Sequence, residues 1–413
     1  MRRAALPKFR FIDLCAGIGG FRWALEQAGG RCVLSLERDR AAQKTYRLLH
    51  GDWPVWGDEA AGRWAFEADR CVDSKSLPAD GAGDITRHRG RYADHVPQHD
   101  IMAAGFPCQP FSLAGVSKKN ALGRPHGFED EDQGQLFFRL MDIVEARKPS
   151  VLFLENVKNL RSHDGGQTWA FILERLRRDH FVASAVIDAR HWVPQHRERT
   201  IIIAARRDCG VRQTDVETVQ GRLDGLARGA GVSRLYSCVG DILETVPDER
   251  YIVGPGTWET LRRHKAHHAA AGNGFGYGLV RAQDLVSTAF SSRTLSARYH
   301  KDGAEILVER RGASGGPQRP RRLTPFECAG LMGLPKTLRD RYRPDASAKH
   351  SISSRVSDVH LYRQFGNSVV FPLIGDVAQV VVELLHLRKD QRTSVRTRAM
   401  KSETDRTLAV PGL

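Results

Sequence analysis

The stretch Phe9-Arg10-Phe11-Ile12-Asp13-Leu14-Cys15-Ala16-Gly17-Ile18-Gly19-Gly20 decides the fold. Residues 9–14 have the pattern of a buried strand, and a helix is expected over 21–27. A glycine-rich turn joins them. Strand, glycine turn and helix together open a nucleotide-binding unit, because glycines let a ligand approach the backbone at a helix N-terminus. Alone, such a turn is often only a turn. A second strand is expected over 32–36, and it ends in Glu37. An acid at that position can accept hydrogen bonds from ribose hydroxyls.

Further along, the apolar run Ile101-Met102-Ala103-Ala104 reads as another buried strand. It is followed by Gly105-Phe106-Pro107-Cys108-Gln109-Pro110-Phe111-Ser112. Gly105 and Pro107 break the strand. They leave Cys108 at the carboxyl edge, where open α/β sheets collect their chemistry. A thiol held on a rigid turn is a good nucleophile once its pKa falls below about 8.5. A helix is expected over 135–146. The strand Val151-Leu152-Phe153-Leu154 then ends in Glu155-Asn156-Val157. A Glu at a strand end is as often a helix cap as an acid. Beside Cys108 it reads as the acid partner of a nucleophile. A helix (169–177) and a strand (181–188) lead to Gln195-His196-Arg197-Glu198-Arg199 and a strand over 200–204. The β–α alternation implies a mostly parallel sheet with helices on both faces.

The chain has 413 residues and a formal net charge of +15. That length accommodates one large domain and a smaller one, and the charge points to a polyanionic partner. No basic amphipathic helix favours a membrane surface. No apolar run approaches the ~20 residues of a span, and no signal-peptide core follows Met1-Arg2-Arg3. The seven cysteines (Cys15, Cys32, Cys71, Cys108, Cys209, Cys238 and Cys328) are scattered and form no CxxC pair. Neither a disulfide framework nor a metal centre is expected, and a reducing cytoplasm is.

The octapeptide around Cys108 resembles the nucleophile motif of the DNA cytosine-5 methyltransferases. Other motifs similar to that family's follow in order, from Phe11 to Val381. Residues 13–20 resemble its S-adenosylmethionine motif, which usually has Phe at the place of Cys15. Glu155-Asn156-Val157 resembles its second catalytic motif, and 195–199 its Gln-x-Arg-x-Arg motif. Thr324 as N-cap, Pro325 in the first turn and Glu327 three residues on read as a helix start. That segment matches the ninth motif, with Cys328 packed and inert. Gln364-Phe365-Gly366-Asn367-Ser368-Val369 matches the tenth motif, and a helix carrying Ile374, Val377, Val380 and Val381 follows it.

The resemblance implies an α/β, Rossmann-like, mostly parallel sheet of the S-adenosylmethionine-dependent methyltransferase type. It also implies a smaller, irregular, β-rich target recognition domain. The expected cofactor contacts are Cys15, Ala16, Gly17, Ile18, Gly19, Gly20, Glu37, Arg38, Asp84, Ile85, Gly105, Pro107, Leu136, Asn367, Ser368 and Val369. Arg38 stands where the family often has Trp, and its guanidinium can stack on adenine. The implied catalytic set is Cys108, Glu155, Arg197 and Arg199. Cys108 adds to carbon 6 of cytosine and makes carbon 5 nucleophilic. Glu155, kept protonated by burial, serves ring nitrogen 3. Arg199 binds the exocyclic oxygen, and Arg197 holds Glu155 or the backbone. The base must leave the duplex for this chemistry.

Residues 1–205 are expected to form the catalytic domain, with a surface insertion at about 53–83 and a closing loop at about 112–133. Regular patterns fade after 206. Residues 206–322 are expected to read DNA and to end in a Gly/Pro/Arg linker at 312–322. Residues 323–387 return to the catalytic domain, and 388–413 form a disordered tail. Gln109, Ser112, Arg293, Thr294, Arg298 and Tyr299 are the candidate DNA contacts. Residues 293–303 resemble the recognition stretch of enzymes for CCWGG-type and CCGG-type sites. The expected partner is double-stranded DNA at the nucleoid. The protein is expected to act as a monomer, with a cognate restriction endonuclease beside it. The competing readings are an RNA cytosine-5 methyltransferase and a non-catalytic DNA-binding relative. The large basic region argues against the first, and the presence of Cys108 and Glu155 against the second.

Overall fold

Side chains alternate between the two faces of a strand, and here both faces are apolar. The computed structural model describes residues 8–56, 81–106, 136–245, 247–311, 316–343 and 351–387. Its main sheet contains β1 (Phe9–Leu14), β2 (Gly30–Leu36), β3 (Ile101–Gly105), β4 (Val151–Val157), β5 (His180–Asp188) and β6 (Glu198–Arg206). The strand order is β2-β1-β3-β4-β6-β5. The pairs β1–β2, β1–β3 and β3–β4 are parallel. Strand β6 runs antiparallel to both of its neighbours. The expected mostly parallel α/β sheet is therefore present.

The alternation sends Phe11, Ala103, Phe153 and Ile203 into one core. Ile12, Met102, Leu152 and Ile202 enter the other. Helix α1 (Gly20–Gln27) covers the first face. Between β2 and β3 lies α2 (Arg40–His50), while α3 (Leu136–Arg147) and α4 (Gln167–Arg177) cover the second face. Truncating a fully buried ring such as Phe153 costs about 3–5 kcal/mol.

The region after 206 is more regular than expected. Helix α5 (Gln213–Ala227) lies beyond the anticipated boundary at 205, yet it packs on β5. Gln220 fixes it there: its Oε1 accepts from Ser184 N at 2.9 Å, and its Nε2 donates to Ser184 O. Helix α6 (Pro255–Ala270) follows, and of its residues only Leu261 is buried. A small sheet contains β7 (Leu279–Val280), β8 (Leu307–Arg311) and β9 (Pro317–Arg322). Strand β9 occupies what reads in sequence as a linker. It pairs antiparallel with β8 through its backbone, which arginines and prolines on an edge strand permit.

The ninth-motif segment forms α7 (Pro325–Leu331) with the expected cap. Thr324 Oγ1 accepts from Glu327 N at 3.2 Å, and Glu327 Oε2 accepts from Thr324 N at 2.8 Å. Glu327 also accepts from both terminal guanidinium nitrogens of Arg321, at 2.7 and 2.8 Å. Cys328 is wholly buried. Helix α8 (Asp358–Asn367) and a helix over 371–387 close the described chain. A window in this last segment is long and apolar enough to cross a membrane by length and composition, contrary to the sequence reading. Most of it is buried inside the protein, and Ile374, Val377, Val380 and Val381 belong to the first core.

The expected insertion is not all surface. Trp53, Val55, Trp56 and Ala82 are buried, and Trp56 Nε1 donates to Asp84 O at 2.7 Å. Residues 57–80, the closing loop at 112–133 and the tail at 388–413 lie outside the described residues.

Candidate active site

The carboxyl ends of β1, β2, β3 and β4 lie along one edge of the sheet. At the end of β1, Cys15 adopts a positive φ of 58°, which non-glycine residues rarely do, and burial pushes its thiol pKa up. Gly17 follows at φ 55°, and a Cβ placed on it would meet nothing within 4 Å. The loop therefore faces open space at this point. Gly20 is the opposite case, since a Cβ there would lie 2.4 Å from Val369 Cγ2. The tenth motif thus packs directly on the glycine loop. Ala16 and Ile18 are buried supports. Gly19 caps α1 without a side-chain hydrogen bond; buried Asp13 accepts from Arg22 N at 3.2 Å, which leaves the Gly20 and Phe21 N–H groups at the start of the helix.

Glu37, at the end of β2, holds this loop. Its Oε2 accepts from Gly17 N at 2.8 Å, and its Oε1 from Asp39 N at 2.7 Å. Burial raises its pKa. Asp84 caps the short turn that carries Ile85, accepting from Thr86 N at 2.9 Å, and Arg38 Nε lies 3.8 Å from its carboxylate. Arg38 itself is exposed. Ile85 and half-buried Leu136 pack in the second core. Asn367 is exposed and Ser368 is buried.

The other end of this edge carries acid–base groups. Gly105 and Glu155 are register partners on β3 and β4. Asn156 Nδ2 donates to Phe106 O at 2.8 Å, and Asn156 Oδ1 accepts from Val157 N at 2.8 Å. Asn156 therefore fastens the chain just before Pro107. Pro107, Cys108, Gln109 and Ser112 lie outside the described residues. Arg199 Nε sits 2.9 Å from Glu155 Oε1. Burial raises the Glu155 pKa, although Arg199 and Arg197 oppose the shift.

Arg197 does not hold Glu155. Its Nη1 donates to Leu295 O at 2.8 Å, and its Nη2 to Gly366 O at 2.9 Å and Ser368 O at 2.6 Å. It is 1% exposed. Of the two expected alternatives the backbone is the one used, so Arg197 is a positioning residue here. Its own amide donates to Asp188 Oδ1 at 2.9 Å, and His196 Nδ1 lies 2.6 Å from Asp188 Oδ2. Asp188 and Asn156 were absent from the sequence-derived site. Asp188 carries the same signal as Glu37, an acid at the end of a strand. Asn156 adjoins Glu155.

The stretch from 292 to 295 is sewn to this loop. Ser292 N donates to Pro194 O and His196 N to Ser292 O, both at 2.9 Å. Thr294 Oγ1 donates to His196 O at 2.6 Å, and Gln195 Oε1 accepts from Leu295 N at 2.9 Å. Arg293 and Arg298 are exposed. Tyr299 is not available to DNA. Its ring is wholly buried against Tyr362, and its hydroxyl donates to Ile306 O at 2.6 Å while accepting from Leu323 N at 2.8 Å. A tyrosine with both hydrogen bonds made internally is a core residue.

A family model for "C-5 cytosine-specific DNA methylase" matches residues 9–60 and 74–383. The chain belongs to this family. It is 41% identical over 395 residues to a DNA-cytosine methyltransferase of Escherichia coli K12, covering 90% of this chain and 77% of that one. It is 38% identical to the type II methyltransferase M.NlaX of Neisseria lactamica, covering 93% and 99%. Among solved structures, the Dnmt2 methyltransferase of S. pombe shares the fold at a TM-score of 0.60 and 17% identity, with 92% of this chain and 99% of that one covered. As a cytosine-5 methylase the chain modifies cytosine in DNA, and its reaction requires a methyl donor.

Proposed function

We propose that this methylase transfers a methyl group from S-adenosylmethionine to carbon 5 of a cytosine in a short recognition sequence of double-stranded DNA. A covalent adduct at Cys108 carries the reaction, and the protein is the modification partner of a restriction endonuclease acting near the nucleoid. One observation supports this reading most. The Gly105–Glu155 register and the Asn156–Phe106 hydrogen bond put the chain leading to Cys108 beside the Glu155–Arg199 pair. Both lie on the sheet edge that carries the open loop at Gly17.

The residues fit the cofactor. Gly17 faces open space, Glu37 and Asp84 bring acceptors to the same edge, and the N-cap residue of α1, Gly19, has no side chain to cover the helix start. When bound, S-adenosylmethionine supplies an electrophilic methyl group. Cys108, as thiolate, forms a bond from sulfur to carbon 6 of the cytosine. Glu155, buried and with a raised pKa, gives its proton to ring nitrogen 3 as electron density reaches it. Arg199 fixes the Glu155 carboxyl and is the candidate donor to the exocyclic oxygen. Once carbon 5 carries the methyl group that the donor would supply, loss of its proton to a base re-forms the double bond and expels the Cys108 thiolate, and ring nitrogen 3 returns its proton to Glu155.

Bisulfite sequencing of plasmid DNA from a host without cytosine methylation tests the reading. Protected cytosines at one short recurring sequence, lost in Cys108→Ser, are expected. Protection that persists in Cys108→Ser removes the covalent step. No protection, with a folded protein that binds S-adenosylmethionine, redirects the assignment to RNA.

A further inference from the structure

Phe275 is 69% exposed, although the loop that carries it, Gly272-Asn273-Gly274-Phe275-Gly276, is well held. Gly272 N donates to Ala269 O at 3.1 Å and Asn273 N to His268 O at 3.0 Å, which fastens the start of the loop to α6. Arg293 Nη1 donates to Gly276 O, and Lys265 Nζ donates to Tyr277 O at 3.3 Å. Gly278 N donates to Ala304 O at 2.8 Å. The backbone is pinned on both sides of the aromatic residue. Among the described residues the Phe275 ring has one aromatic neighbour, His268, at 5.6 Å between centroids.

The surroundings select the partner. Between Glu259 and Asp284 the sequence contains no acidic residue, and it contains Arg262, Arg263, Lys265 and Arg281, of which Arg262 lies 3.5 Å from Glu259. Arg262 and Arg263 are exposed. Such a surface complements DNA phosphates. The loop is also tied to the chemistry. Arg293, which holds Gly276, adjoins Ser292 and Thr294, and both of these bond to the backbone of the loop containing Gln195, His196 and Arg197. Arg199 and Glu155 follow directly.

We propose that Phe275 is a wedge that stacks on, or inserts beside, a base of the duplex next to the target cytosine and stabilises its unstacked state. An apolar ring inserted at a base step offsets the loss of stacking. Base–aromatic stacking contributes about 5- to 150-fold per base. A pinned loop keeps the ordering entropy of the contact low. The proposal rests on the DNA-methylation reading above.

The test uses the full-length protein and a duplex carrying the sequence mapped by bisulfite. A matching duplex carries a mismatch opposite the target cytosine, so that the base is already unpaired. Phe275→Ala is expected to lower kcat/KM about 5- to 100-fold on the paired duplex and less than about 3-fold on the mismatched one. Phe275→Trp is expected to stay within about 3-fold of the wild type on both. A 2-aminopurine beside the target should brighten with wild type and Trp, and not with Ala. The ring is exposed, so the melting temperature and S-adenosylmethionine affinity should not change. An Ala variant as active as wild type on the paired duplex overturns the proposal, as does an equal loss on both duplexes. A variant that changes only the oligomeric state overturns it in favour of a second copy of the chain. A wild-type protein that methylates no duplex overturns the underlying reading as well, and the wild-type reaction alone reveals that outcome.

Discussion

Arg197 is buried and Arg199 keeps 14% of its side chain exposed beside Glu155, whereas Arg262, Arg263 and Arg293 stand exposed on the region after 206. The buried pair is defined by its partners: three carbonyls for Arg197, and the Glu155 carboxylate with the Glu198 carbonyl for Arg199. Buried charges are strongly geometric and little screened by salt. The exposed ones act through long-range attraction that salt weakens. On the proposed function, one set of arginines would fix where the reacting atoms are, and the other would govern how firmly the polyanion is held.

The sharpest way to break this contrast is Glu155→Gln. It should lower kcat by about 10²- to 10⁴-fold in single-turnover assays while DNA affinity holds. The raised Glu155 pKa sets the sign of the pH effect. The wild-type rate should fall on the alkaline side as Glu155 deprotonates, and that limb should be missing from the residual activity of the Gln variant. Arg197→Ala should come next, costing about 3–5 kcal/mol of stability in denaturant unfolding, because three buried carbonyls lose their donor. An unchanged midpoint would mean that Arg197 is not the pin described. Tyr299→Phe should cost about 1–2 kcal/mol of stability and leave DNA affinity unchanged; a loss of affinity alone would return Tyr299 to the DNA surface. The smallest effect belongs to Arg262→Ala. The slope of log K against log salt should become shallower by about 1, with no change in melting temperature.

The two regions also differ in how far their sequence could be read. The strands of the main sheet are marked by apolar runs buried on both faces, and β1 spans the expected 9–14. The capping box at Thr324 and Glu327 is local chemistry and was visible as such. Helix α6 has a single buried residue, Leu261, so no apolar stripe announces it. Strand β9 contains Pro317, Arg319, Pro320, Arg321 and Arg322, and only its pairing with β8 makes it a strand. Tyr299 lies among arginines and a histidine, and nothing local shows that its ring turns inward. The Arg197 side chain is answered by residues 98 to 171 positions away, so its role depends on tertiary structure. The Glu155–Arg199 pair was legible as a set of residue types, but their contact was not.

The bonds from Arg197 to Gly366 and Ser368 also constrain the order of synthesis. Those carbonyls emerge 169 and 171 residues after the arginine they hold. At about 5–20 residues per second, the arginine waits roughly 10–30 seconds for them on the ribosome. The early sheet can form during that interval, but the site cannot be complete. Nascent chains stalled before Gly366 should therefore be folded in part and unable to methylate. An enzyme made in this way cannot methylate DNA until its chain has grown past Ser368.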